Sequence, residues 1–116
     1  MKPISTHFYA VAVPQPNGTV MFARPQGNDR YRDIVLDSMP KSTGCAVDRK
    51  GIEKIYAKVR HAQQCEVERR QEVLTLALTK GYLAHSISTF QDDLRAAEAA
   101  SAEIVRFDMV PEVLAP

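Results

Sequence analysis

The stretch Asp48-Arg-Lys-Gly-Ile-Glu-Lys-Ile-Tyr-Ala-Lys-Val-Arg-His-Ala-Gln-Gln-Cys-Glu-Val-Glu-Arg-Arg-Gln-Glu-Val-Leu-Thr-Leu-Ala-Leu-Thr-Lys-Gly81 decides the fold. It contains no proline, its only interior glycine is Gly51 in the first turn, and helix-favouring residues fill it. Asp48 is a good N-cap, because a short side-chain oxygen can accept one of the unpaired amides of the first turn. Lys80 followed by Gly81 is a stop signal: a cation in the last turn, then the residue that most easily turns left-handed. One helix of this length spans about 48 Å. A compact chain of 116 residues has a radius of gyration of only about 13 Å. The helix must therefore protrude, bend or pair with a second molecule.

Its apolar pattern is not uniform. Ile52, Ile55, Tyr56, Val59 and Ala62 fall within one arc of about 120°. Val73, Leu74 and Ala77 return to that arc, and Leu76 and Leu78 widen it, so this second end is expected to be the more deeply buried. Between them the same stripe carries Gln63, Glu66 and Arg70, the last two spaced for an i,i+4 ion pair. The middle thus lacks an ordinary core face. Either it crosses solvent, or it meets a polar partner, or the helix breaks near Gln63-Gln64-Cys65.

Upstream, His7 to Val13 and Thr19 to Ala23 read as strands joined by Pro14-Gln15-Pro16-Asn17-Gly18. Asn-Gly suggests a type I′ hairpin turn. Apolar residues occupy both faces of the first strand, Phe8, Ala10 and Ala12 on one and Tyr9, Val11 and Val13 on the other, so both faces call for cover. Pro14 and Pro16 place the far end of this strand at an edge. Tyr31, Ile34, Val35 and Ser38 have helical spacing after a cap at Asn28 or Asp29, with a strand at Asp33 to Met39 as the competing reading.

Downstream, Tyr82 to Ile87 reads as a connection. Ser88 with Gln91, or Thr89 with Asp92, resembles a capping box for a second helix, with Asp92 and Asp93 in its first turn. Phe90, Leu94, Ala97, Ala100, Ser101, Ile104 and Val105 form one face, rich in small residues, expected to close against the long helix as an antiparallel helical hairpin. The tail from Arg106 adds a strand or docks as an arm. The expected architecture is α+β in a single domain over residues 1–116: an N-terminal β-hairpin packed on a long helix, with a C-terminal helix completing the helical hairpin.

The chain is 45% hydrophobic and 25% charged with a formal net charge of +1, so no global field draws it to nucleic acid or an acidic membrane. Two cysteines do not make a disulfide framework, and the apolar run Phe8 to Val13 is too short to span a bilayer. A cytoplasmic, unprocessed protein is expected, without cofactor and without membrane attachment.

No catalytic constellation emerges. His61 and Cys65 share a helix face and could be half of a zinc site completed by Cys45, His85 or His7, but no Cys-x-x-Cys or His-x-x-x-His accompanies them. Nothing is placed to orient the imidazole for nucleophilic catalysis. Ser38-Met39-Pro40-Lys41 and Lys41-Ser42-Thr43 match only fragments of known catalytic and phosphate-binding motifs, without their companion residues. Neither a metal nor a catalytic site is assigned.

A small non-catalytic protein-binding module remains, an adaptor or an inhibitor that sequesters a larger partner. Its candidate contact residues are Gln63, Glu66 and Arg70 in the polar middle, with Tyr56, Arg30 and Arg32 as residue types favoured at interfaces. A homodimer through the long helix is expected. The alternative is a nucleic-acid-binding regulator using Lys50, Lys54, Lys58 and His61 on the outer face of that helix, although Glu68 and Glu72 continue the same face.

Overall fold

A computed structural model describes residues 7–26 and 33–109. The elements run β1 (His7–Pro14), β2 (Val20–Gln26), β3 (Asp33–Asp37), a single 3-10 turn (Ser42–Gly44), β4 (Cys45–Ala46), α1 (Arg49–Lys80), α2 (Ala84–Ala99) and β5 (Glu103–Asp108). The fold is α+β, with an N-terminal hairpin on the long helix and α2 paired with that helix, as the sequence pattern demands.

All five strands are antiparallel to their neighbours. β1 is the hub. β5 runs along one of its edges from His7 to Ala12. The other edge is shared: β2 pairs with Val11 to Pro14, and β4 takes over at Tyr9 and Ala10. β2 leaves β1 after Ala23 and continues beside β3, the outermost strand. Pro25 falls in the part of β2 that has left β1, and strand alternation turns its nitrogen toward that vacated edge, so no ladder bond is lost. Gly44 sits where β4 abuts the departing β2. A Cβ there would lie 2.8 Å from the Ala23 carbonyl oxygen, so only glycine fits without backbone movement.

The hairpin forms, but its turn is not type I′. Asn17 does not have the positive φ that such a turn requires, and Gly18 alone does, at 86°. Pro16 has no N–H with which to close a two-residue loop on Thr19. The closure moves out by one residue instead: the Gln15 amide donates to the Thr19 carbonyl at 2.8 Å and the Gly18 amide to the Gln15 carbonyl at 3.0 Å. Pro16 thus occupies the second position of a turn followed by a left-handed glycine, the common three-residue hairpin loop. Asn17 Oδ1 accepts from the Thr19 amide at 3.0 Å and completes the turn.

One face of the sheet meets α1. Val11, Val13 and Ala23 pack with Ile52 and Val59, and Tyr9, Ile34, Ala46, Tyr56 and Ile104 surround them. Ile52 and Val59 are both 0% exposed, each contributing about 1.5–3 kcal/mol by burial. On the opposite face Ala10 and Ala12 are buried beneath larger neighbours. Phe8 stacks on Phe107 with ring centroids 5.0 Å apart, and Phe22 lies 5.7 Å from the same ring. Aromatic side chains of the sheet itself provide much of the cover expected from a second layer.

α1 is unbroken through Gln63-Gln64-Cys65 and runs for 32 residues. Asp48 caps it, its side chain accepting from the Gly51 amide at 2.6 Å. Gly81 ends it in the left-handed conformation, with the Tyr82 amide donating back to the Ala77 carbonyl at 3.0 Å. Its first half lies on the sheet and its second half meets α2. The molecule is accordingly elongated, 72 × 30 × 17 Å, with a Cα radius of gyration of 18.8 Å. Protrusion, rather than a bend, resolves the excess length within the chain.

Several local expectations fail for identifiable reasons. The segment after residue 32 is a strand, not a helix: β-branched Ile34 and Val35 gain ladder partners from β2, and this outweighs helical spacing. α2 starts at Ala84 and is preceded by Leu83, which makes no side-chain cap. Ser88 and Thr89 are therefore interior residues, and the Thr89 hydroxyl donates to the His85 carbonyl at 3.0 Å. α2 ends at Ala99, so Ile104 and Val105 belong to β5, where β1 supplies a longer ladder than another helical turn could. The hairpin end of α1 is not the deeper one. Leu76 and Leu78 are 51% and 55% exposed, because α2 alone covers that end and touches only one side of it.

Candidate functional site

The polar middle of α1 lies at the crotch between the sheet and the helical hairpin. An open cleft of about 660 Å³ occupies this angle. Pro14, Pro16, Ile34 and Leu36 line its sheet side, while Gln63, Glu66, Ala97 and Ala100 line its helix side. β3 ends the sheet here, and its two apolar side chains on this face, Ile34 and Leu36, form part of the wall. The walls are largely apolar, and the small side chains of α2 keep them shallow.

The chain itself satisfies most of the polar stripe. Gln63 is only 8% exposed. Its Nε2 donates to the Ser101 carbonyl at 3.0 Å, and its Oε1 accepts from Arg60 Nη1 at 2.7 Å. Arg60 also donates to the Ala100 carbonyl at 3.3 Å. Two side chains of α1 thus hold the backbone where α2 ends and β5 begins, a place where the last carbonyls of a helix lack partners of their own. Glu66 accepts from Arg70 Nε at 2.8 Å and lies 3.2 Å from Arg69. Arg70 reaches across to Asp93 on α2 at 3.7 Å. These ion pairs are partly solvated and contribute little to stability individually, but they fix the side of α1 to which α2 is joined.

Of the residues singled out from sequence, Gln63, Glu66 and Arg70 come together at this junction. Tyr56 stands apart, half-buried against the sheet core. Arg30 and Arg32 lie outside the described residues. Arg24, on β2, pairs with Asp37 on β3 at 2.8 Å. Lys50, Lys54, Lys58 and His61 are all exposed on the outer face of α1. The three lysines make no ion pair among the described residues.

Cys65 Sγ is 3.5 Å from His61 Nε2, the contact that i,i+4 spacing allows. Among the described residues no three histidine, cysteine or carboxylate side chains gather as a metal site would require. Cys45, on the aromatic face of the sheet opposite Ala10, has its thiol pushed up from the ordinary range by burial, which favours the unreactive neutral form. No helix among the described residues is long and apolar enough to cross a membrane.

Sequence reasoning missed the end of the hairpin. Leu76, Leu78, Tyr82 and Leu83 are all exposed there, Leu83 at 72%. The signal is present as leucines on both sides of the α2-facing arc, a pattern that deeper burial would equally produce. No protein-family model matches this chain, and comparisons with curated proteins and with solved structures find no match either.

Proposed function

We propose that this protein is a small non-catalytic binding module, an adaptor or inhibitor that engages and sequesters a larger protein. The observation that carries the reading is the end of the helical hairpin. The chain extends two helices away from its core and leaves Leu76, Leu78, Tyr82 and Leu83 exposed at that end. Leu76 and Leu78 flank α1 on opposite sides and Tyr82 and Leu83 follow at the turn, and apolar side chains left exposed at one end of the molecule favour contact with another macromolecule over solvent. Gln63, Glu66 and Arg70 are engaged within the chain, which favours the hairpin end as the partner's principal contact, with the apolar cleft wall as a secondary surface.

Affinity capture from native cells tests this with the wild type beside Leu78→Asp/Leu83→Asp. One defined partner should be retained in near-equal amount by the wild type and lost by the variant, with the variant's melting temperature unchanged. Equal retention by both proteins would remove the hairpin end from the mechanism.

One observation favours a nucleic-acid reading, the exposed row of Lys50, Lys54 and Lys58 without ion-pair partners among the described residues. Glu68 and Glu72 on the same face oppose it, because they repel phosphate along the continuing helix. Salt-sensitive retention on heparin or duplex DNA at low ionic strength is the corresponding test.

A further inference from the structure

We infer that the outer face of α1 is a contact surface for a second copy of this chain, with the two helices antiparallel and the lysines of each against the glutamates of the other. The inference goes beyond the hairpin-end reading and does not depend on it.

The charge distribution of this face is the starting point. Several charges elsewhere on α1 are matched within the chain: Arg49 with Glu53 at 3.9 Å, and Glu66 with Arg69 and Arg70. On the outer face they are segregated. Lys50, Lys54 and Lys58 follow one another at four-residue steps in the first half, and Glu68 and Glu72 do so in the second. Like charges at that spacing disfavour an isolated helix. All five side chains are exposed, and none forms an ion pair among the described residues.

An antiparallel second copy cancels this pattern. With a two-fold axis level with Gln63, Lys54 stands opposite the second copy's Glu72, and Lys58 opposite the second copy's Glu68. Symmetry repeats both pairs. The same register sets Lys50 opposite the exposed Leu76 of the second copy, where the lysine stem can cover the leucine while its ammonium stays in solvent. A parallel arrangement would set lysines against lysines. The outer face lies opposite the stripe that packs on the sheet and on α2, so neither needs to move.

A contact line of about 48 Å between helices about 10 Å across covers roughly 500 Å² per copy, the scale of a weak and transient interface. The dimer is therefore concentration-dependent, and because solvated ion pairs hold it, added salt weakens it.

Sedimentation or light scattering of the intact chain tests the inference. The wild type should dimerise at low ionic strength, with a dissociation constant that rises about tenfold or more toward about 0.5 M salt. Lys54→Glu/Lys58→Glu and Glu68→Lys/Glu72→Lys should each remain monomeric at concentrations where the wild type pairs, with unchanged circular dichroism. Mixing the two variants should give a heterodimer, and combining all four substitutions in one chain should restore the homodimer. A wild type that stays monomeric up to millimolar concentration would overturn the inference. So would a dimer that survives either double reversal, or variants that fail to pair when mixed. If the lysine variant loses heparin retention while every protein stays monomeric, the surface serves polyanions and the dimer is refuted.

Discussion

Replacing Gln63 by methionine keeps the side chain's length and approximate volume but removes both of its hydrogen bonds. Gln63 is the only buried polar residue among those described, and it joins α1 to the α2–β5 junction through the Ser101 carbonyl at 3.0 Å. A typical internal hydrogen bond contributes about 0.5–1.5 kcal/mol net. The bond from Arg60 counts at the low end, because Arg60 is exposed and can turn to water or keep its contact with Ala100. Gln63→Met should therefore cost about 1–2 kcal/mol. Near this chain length each kcal/mol shifts the melting temperature by roughly 4 °C, so a fall of about 4–8 °C is expected. Gln63→Ala should cost about 1–1.5 kcal/mol more, because it also removes the buried stem. Urea denaturation followed by circular dichroism gives the global value. Amide exchange at Ile104 and Val105 gives the local one, since loosening the junction should open β5 before the rest of the sheet. A Gln63→Met protein within about 0.5 kcal/mol of wild type would refute this account and return Gln63 to the candidate partner contacts.

Val59→Ala should destabilise by about 2–3 kcal/mol in denaturant titration, because Val59 is 0% exposed, whereas Leu78→Ala at the exposed hairpin end should cost less than about 0.5 kcal/mol. Gly44→Ala forces a methyl group to within 2.8 Å of the Ala23 carbonyl oxygen and should cost about 1–3 kcal/mol, with loss of amide protection at Cys45 and Ala46. Arg70→Ala removes partly solvated pairs to Glu66 and Asp93 and should cost no more than about 1 kcal/mol, less at high salt. The raised thiol of Cys45 carries less thiolate at a given alkaline pH than a free cysteine, so its alkylation at about pH 8 should be slower in the native chain than in urea. Mass-resolved alkylation kinetics read the difference directly.

The parts of the fold legible in the sequence are those governed by local chemistry. Asp48 and Gly81 bound α1 because capping needs only a few neighbouring atoms, and the apolar arc from Ile52 to Val59 finds the sheet because its period matches the helix. Long-range pairing was harder to see. Ile34, Val35, Ile104 and Val105 carry apolar side chains compatible with either period, and they became strands because β2 and β1 offered open edges. That choice depends on residues distant in the chain, which no window over these segments contains. The hairpin turn shows the same limit at short range: Asn17-Gly18 favours one geometry, and the missing N–H of Pro16 selects another.

The site was legible as a deficit rather than as an identity. A gap in the apolar stripe of α1 says that the middle turns need polar partners, and Gln63 and Arg70 find them in Ser101 and Asp93 of the same chain. Those partners come close only because α2 turns back along α1 and β5 crosses under it to reach β1, so the pairing is a product of topology. The outer face of α1 poses a similar deficit, and for its lysines and for Glu68 and Glu72 the described residues supply no such solution. Lysines gather at one end and glutamates at the other, and no described element of the chain lies across them. Topology closed the first gap. A face whose lysines and glutamates have no ion-pair partners among the described residues, yet complement one another when inverted, is the one we propose a second copy of the chain closes.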